Sequence, residues 1–565
     1  MLSEEEVTTM AKEIDVEVKN DQSQTDAKNC PRSNGAKSGK QGRRGKSGRG
    51  SKAGTKPHTK GSILNDPAFY NSYPMFAQEA GRLPFGVPLG TPMALDNANG
   101  IMFSVPGAMV ISFIPCPGVS TDFTSPMNRS SIHYWTQLRA IQKASAPYDH
   151  QDVTMMMMAM DSCYIFHRLM QKAYGILQNF SPLNNFYPGA ILAGMGFDYG
   201  DLLKNIDDFR AYINEFAYNC GQYAMPKDVW LFSRHEQLTQ TLLVDSETTR
   251  GQSYNFVPYG LWQYDNTVST GSQLIWKPWL NQTLTDNTRH TFAEVVEYGT
   301  ALIDAISNEQ DFSFISGDMT ALYGANNVHQ LDYTPENYAV FPKYSEEMMS
   351  QIENLRMVGE FYSGYTPVIS QNPSVNEGAI IFNPIFTAKD GDDENWSAWT
   401  RNFINMHMDN PTSDDVLVAT RLAVSFNPSP NQYQVTLTSC GTEIVSHVVI
   451  WQQNPNTGNF RSIGLDSNAV TSVFGTDSNA NIESDVTRMC LLTQFNWHPL
   501  IRWFFGPNSA TANVFAGWVG DIDNITNLPD ANLARMHKAA LFSLFDVRSS
   551  ASSSRVGARG TNANQ

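Results

Sequence analysis

The first place to look for chemistry is His235-Glu236. In the H-E-x-x-H arrangement two imidazoles share one helix face and hold zinc, and the glutamate acts as base. Here the second histidine position is Thr239, so the pair reads as a polar surface or interface residue. Gly45-Lys46-Ser47 resembles the end of a phosphate-binding G-x-x-x-x-G-K-[ST] loop, whose backbone N–H groups cradle phosphate. The first glycine of that pattern falls on Lys40, Gly39 comes one residue early, and no strand precedes it, so the match reads as chance. Asp390-Gly391-Asp392-Asp393-Glu394 offers carboxylates to calcium, but the closing glutamate of a twelve-residue loop falls on Arg401. That stretch reads as a solvated acidic loop. No G-x-S-x-G elbow is present for an acyl-transfer serine. No catalytic residue, metal or cofactor is therefore nominated.

Met155 to Met158 might invite a soft metal, yet at helical spacing their side chains point in different directions, which favours core packing. Phe495, Trp497, Trp503, Phe504 and Phe505 read as core or subunit-contact packing. The six cysteines (Cys30, Cys116, Cys163, Cys220, Cys440 and Cys490) contain no C-x-x-C pair. That spacing argues against a zinc module or a disulfide scaffold and fits assembly in a reducing compartment.

Charge is the sharper signal. The 565-residue chain carries a net −16, but unevenly. Residues 1–27 hold −6, residues 61–565 hold −21, and residues 28–60 hold +11 with no acid. The basic residues are Lys28, Arg32, Lys37, Lys40, Arg43, Arg44, Lys46, Arg49, Lys52, Lys56 and Lys60, set among Gly and Ser. Such a segment buries too little apolar surface to offset its ordering entropy, so it is expected to be a disordered arm. An arm of about 60 residues has an r.m.s. reach of roughly 40–45 Å. Its expected chemistry is sequence-independent phosphate binding through counterion release, with no aromatics interleaved to stack on bases. An acidic body with a basic arm has the charge layout of a container for nucleic acid.

The elements behind these residues read as α+β. The start of the chain is acidic and has no apolar signal-peptide core, and no stretch is long and apolar enough for a membrane span. Met102–Cys116 is apolar, β-branched and broken by Pro106-Gly107, which predicts strands. Ser130 is expected to cap a helix from Ser131 to about Lys143. Met155–Leu177 is apolar on most of its circumference. Its Asp161, Arg168 and Lys172 fall at i, i+7 and i+11, a single polar stripe on a helix buried nearly all round. Leu202, Ile206, Phe209, Ile213, Phe216 and Cys220 predict one amphipathic helix. Further helices are expected at Phe292–Ile306, Glu346–Met357, Trp396–Met408 and Asp530–Phe545. Val416 to Phe426 alternates with period two and predicts a strand. Tyr433–Ser439 and Thr442–Trp451 predict a hairpin turning at Cys440-Gly441. Residues 452–485, rich in Asn, Ser, Gly and Asp, predict exposed loops.

Several stretches resemble the capsid proteins of picobirnaviruses, which package segmented double-stranded RNA. They are NDPAFY from Asn65, LPFGVPLG from Leu83, DVTMMMMAMDSCYIFHRLMQKAYGILQNFSPLNNFYPGAIL from Asp152, DFRAYINEFA from Asp208, AMPKDVWLFSRH from Ala224 and LLVDSETTRGQSYNFVPYG from Leu242. The resemblance is carried mainly by residues 65–260. It implies a dimer-built icosahedral shell of T=1 type, with a helix-rich shell domain and an inserted, strand-richer projecting domain. The corresponding borders are a disordered arm at 1–62, shell at 63–250, projection at 251–485, shell return at 486–548 and a tail at 549–565. The implied partners are further copies of the chain, genomic RNA bound without regard to sequence, and viral polymerase inside the particle. Assembly would take place in host cytoplasm, and the product would be a virion. The competing class is a soluble, non-specific nucleic-acid-binding protein with a basic arm.

Overall fold

Strand formation in this chain follows runs of β-branched and aromatic residues, and helix formation follows the spacing of apolar ones. The computed structural model describes residues 92–96, 101–104, 108–141, 147–178, 187–227, 229–245, 252–267, 271–280, 289–371, 378–387, 402–427, 434–453, 460–464, 492, 495–505, 514–519 and 522–545. The chain divides into Met1–Leu83 and Pro84–Gln565, and all the described residues lie in the second unit.

The helices, in chain order, are α1 Pro126–Ile141, α2 His150–Gln178, α3 Tyr187–Gly194, α4 Tyr199–Lys204, α5 Ile206–Cys220, α6 Trp230–Gln240, α7 Phe292–Ser307, α8 Gln310–Tyr323, α9 Glu346–Glu353, α10 Ser413–Ala419 and α11 Asp530–Phe545. The strands that matter most are β1 Ala108–Pro115, β2 Leu242–Val244, β3 Ser253–Pro258, β4 Val424–Phe426, β5 Gln434–Cys440, β6 Glu443–Gln453 and β7 Phe460–Gly464.

Five of these strands form one mixed sheet in the order β7-β6-β1-β3-β2. β1 is buried along its whole length, AMVISFIP, as expected of a strand covered on both faces. It pairs antiparallel with β6 and parallel with β3. A parallel neighbour needs a crossover connection. Helices α1 to α6 lie within the chain that joins β1 to β3, so the helix-rich stretch and the sheet form one unit. Strands from residues 253–258 and 443–453 thus flank a strand from residues 108–115.

α2 is the axis of the helical layer. Every residue from Val153 to Leu177 is buried. Met155 to Met158 are at most 1% exposed, in keeping with core packing. Phe166 meets Phe216 of α5, Trp279 and Tyr298 of α7, with ring centroids 5.7, 5.4 and 5.1 Å away. α7 is started by Thr291 and Glu294, whose side chains cap each other's backbone N–H groups.

Several local expectations are revised. α1 begins at Pro126, a favoured first helical residue, so Ser130 is not a cap. Its hydroxyl instead donates to the Phe545 carbonyl at the end of α11. The Leu202–Cys220 periodicity holds, but Asn205 divides it into α4 and α5. The helix at Glu346 stops at Glu353. Where Trp396–Met408 predicted a helix, the described residues 402–408 hold a strand, Asn402–Ile404, paired with Thr526–Leu528, and no helix. The alternating run from Val416 is first a helix, α10. Thr412 and Asp415 form a capping box there, and the local cap overrides the period-two pattern before β4 begins. Helices α3, α6 and α8 have no counterpart in the sequence reading.

The Cys440-Gly441 hairpin does not form. β5 pairs with β4 and Ile385–Thr387, while β6 pairs with β1 and β7. The two residues between β5 and β6 step from one sheet to another. A Cβ on Gly441 would lie 2.8 Å from the Arg421 carbonyl, so only glycine fits that step. The loop expectation for 452–485 fails at the end of β6, Gln452 and Gln453, and at β7; residues 454–459 and 465–485 lie outside the described residues.

Gly299 lets α7 approach α2 and α5. A Cβ there would sit 2.8 Å from Phe166 and closer still to the Tyr212 hydroxyl. Gly299→Val is expected to lower stability by about 1–3 kcal/mol through overpacking, read as a fall in denaturation midpoint. An unchanged midpoint would show that this helix contact yields freely.

Candidate functional site: a buried ionic cluster

The polar stripe of α2 does not face water. Asp161, Arg168 and Lys172 are 1%, 7% and 0% exposed. Buried charges persist only when paired or hydrogen-bonded. α6 supplies most of the partners, because three successive residues on it, Arg234, His235 and Glu236, are polar and face neighbouring elements.

His235 is fully buried, which corrects the surface or interface reading of the His-Glu pair. Its Nδ1 lies 2.7 Å from Asp161 Oδ2. Its Nε2 lies 3.5 Å from Glu443 Oε1, a charge contact beyond good hydrogen-bond length. Arg234 Nε donates to the same Glu443 oxygen at 3.1 Å, and its Nη2 donates to Gln351 of α9 at 2.8 Å. Thr442 Oγ1 adds a 2.7 Å donor to Glu443. The group therefore ties α2, α6, α9 and β6 together.

The next residue of α6, Glu236, accepts from Arg168 Nε at 2.6 Å and pairs with His329 Nε2 at 2.6 Å. Arg168 also reaches Gln171 at 2.8 Å and Asp332 at 3.2 Å. Arg168, Glu236, His329 and Asp332 line a cleft of about 550 Å³ together with Lys227, Gln237 and Gln240. Lys172 stands apart, with its Nζ 3.4 Å from the Phe256 carbonyl on β3.

Protonation follows from these partners. Burial alone would strip His235 of its proton, but Asp161 and Glu443 outweigh burial and hold it up at about 9. Burial raises Asp161, and His235 only partly offsets that. Burial also opposes charge on Glu443, yet Arg234, His235 and Arg421 hold it well below the usual carboxylate range. The chemistry is an imidazolium clamped between carboxylates. Burial brings Lys172 down to about 7. His167, His447 and His537 are kept neutral by burial, down to about 3, 4 and 4.

This arrangement ties elements from distant parts of the chain together. Among the described residues no group of three or more His, Cys, Asp or Glu side chains is placed to hold a metal, and no helix is long and apolar enough to cross a membrane. The acidic run Asp390–Glu394 lies outside the described residues. So do all eleven basic residues from Lys28 to Lys60. Of the aromatic run, Phe495 packs on Tyr254 and Trp497 meets His407 edge-on. The sequence did not reveal the ionic cluster as a unit. The polar stripe on an otherwise apolar helix was its signal, since a buried stripe demands partners.

The fold is that of a viral shell protein. It superposes on the X-ray crystallographic structure of the picobirnavirus capsid with a TM-score of 0.70 at 20% identity, over 85% of this chain and 98% of that one. Over 516 residues the chain is also 29% identical to a capsid protein precursor of Human picobirnavirus (strain Human/Thailand/Hy005102/-), spanning 86% of this chain and 91% of the relative. The family model described as "Picobirnavirus, Capsid protein" matches residues 69–502, and this chain belongs to that family. A capsid protein self-assembles into a shell and is a component of the virion.

Two pH limbs are expected. His235 contributes stability in full below about 6.5, and that contribution is lost as pH rises toward 9. The neutral histidines act in the opposite sense: the unfolded chain binds their protons first, so stability falls below about 6.5. For His447 or His537 the loss between pH 7 and pH 5 is about 2 kcal/mol each. Denaturation against pH should show the alkaline limb flattened in His235→Gln and the acid limb shallower in His447→Gln. Identical profiles would contradict these protonation states. Asp161→Ala strands the buried imidazolium and is expected to cost about 3–5 kcal/mol at pH 7.

Proposed function

We propose that this chain assembles as dimers into an icosahedral T=1-type shell enclosing a segmented double-stranded RNA genome, with residues 28–60 neutralising RNA phosphate on the inside. Membership of the capsid family across residues 69–502 carries the reading. The basic segment lies before the first matched residue, which suits an appendage outside the part that the family model covers. The acidic remainder of the chain would repel RNA, so the arm is the place where phosphate can bind. Neutralising Z phosphates gives a log K against log salt slope of roughly −0.7Z to −0.9Z. Viral polymerase would share the interior, and host cytoplasm would be the place of assembly.

In this reading the projecting part is drawn from residues 251–485. β3 and most of β6 would remain with the shell, because they pair with β1. The stretch 63–250 and the return segment 486–548 would supply the rest of the wall. Thiols without C-x-x-C spacing suit assembly in a reducing compartment.

Negative-stain electron microscopy of the expressed protein should show uniform shells, and size-exclusion chromatography should place it far above monomer mass. Deleting residues 28–60 should leave shells intact and lower the encapsidated RNA at least several-fold. A chain that stays monomeric across salt and pH, yet still binds RNA through the arm, would instead indicate the soluble nucleic-acid-binding protein. Undiminished RNA in shells of the deleted chain would remove the arm from packaging.

A further inference from the structure

Four cysteines lie among the described residues, and all four are buried. They fall into two spatial pairs. Cys163 of α2 hydrogen-bonds Cys220 of α5. Cys116, the residue after β1, meets Cys440, the last residue of β5, 324 positions later in sequence, with Sγ atoms 4.0 Å apart. A buried side chain touches only about 6–12 others, so chance seldom pairs all four thiols among the described residues.

The backbone around Cys116 and Cys440 is fixed. Cys116 N–H donates to the Thr442 carbonyl at 2.8 Å, continuing the β1–β6 ladder by one step. Cys116 Sγ also lies 3.4 Å from the Gly441 carbonyl. Cys440 is held by its pairing with Val424 of β4. The two sulfurs are therefore presented to each other from different sheets, at the step where the chain passes between those sheets. The gap is about 2 Å longer than a disulfide bond. Burial holds the Cys116 thiol well above its usual range, so it stays protonated and unreactive in a reducing compartment.

We propose that Cys116 and Cys440 are a cross-linking site that forms a disulfide by exchange with a small-molecule disulfide such as oxidised glutathione. In a transiently opened conformer one thiolate attacks a sulfur of the small disulfide and expels one small thiolate, giving a mixed disulfide. The second protein thiol, once deprotonated, displaces the other. The two protein thiols lose two protons and two electrons, and the small disulfide leaves as two thiols. The product joins the end of β1 to the end of β5 and closes a long loop, the geometry in which a cross-link restrains the unfolded chain most. The inference stands independently of shell formation.

The full chain, incubated with oxidised glutathione at pH 8, blocked with N-ethylmaleimide and digested, should yield a peptide containing Cys116 joined to one containing Cys440. The thermal midpoint should rise by about 5 °C or more and return with reductant. Cys163→Ser should keep both effects, and Cys440→Ser should abolish them. Should Cys440→Ser fail to fold, wild-type peptide mapping with and without reductant decides alone. Recovery of both cysteines as maleimide adducts, or as stable glutathione adducts without the cross-link, would overturn the proposal.

Discussion

Charge carried into a low-dielectric interior has to be compensated there, and helix α2 carries a good deal of it. Its 29 residues run through the centre of the helical layer. Asp161 is met by His235, Arg168 by Glu236, and the His235 imidazolium by Glu443. Because these partners come from α6 and β6, the packing of helix layer on sheet is fixed by directional contacts as well as by apolar area. A purely apolar α2 would pack as tightly but would tolerate sliding and rotation more readily. Breaking one partner leaves a charge stranded, which is far costlier than the pair's net worth.

The sheet answers a different constraint. β1 is central, fully buried, and bonded antiparallel on one side and parallel on the other. The parallel side obliges the chain to leave and return, and helices α1 to α6 occupy that excursion. The antiparallel side brings back residues more than three hundred positions later. The region therefore closes upon itself in sequence, and early and late segments share one core. For a protein that must tile a shell, such closure joins distant segments into one wall unit.

Charge is partitioned as sharply along the chain as within the core. Eleven bases occur in 33 residues without an acid, while residues 61–565 hold −21. Under the shell reading these halves have opposite tasks, binding phosphate and keeping the wall apart from it.

Much of this was legible from sequence. The burial of Met155–Leu177, the α5 periodicity, the strands between Met102 and Cys116, and the last helix follow from residue pattern, because burial and periodicity are local properties of the chain. The arm's charge is likewise plain in the letters. The tertiary structure decided the rest. Val416 reads as strand until Thr412 and Asp415 cap a helix over it. Cys440-Gly441 reads as a hairpin until each flanking strand finds a stronger partner elsewhere. His235 reads as a surface or interface residue because a one-dimensional pattern shows that a position is polar but not which distant carboxylate faces it. Sequence sets what each segment can bury. Which charges meet depends on contacts hundreds of residues apart, and only the folded chain brings those together.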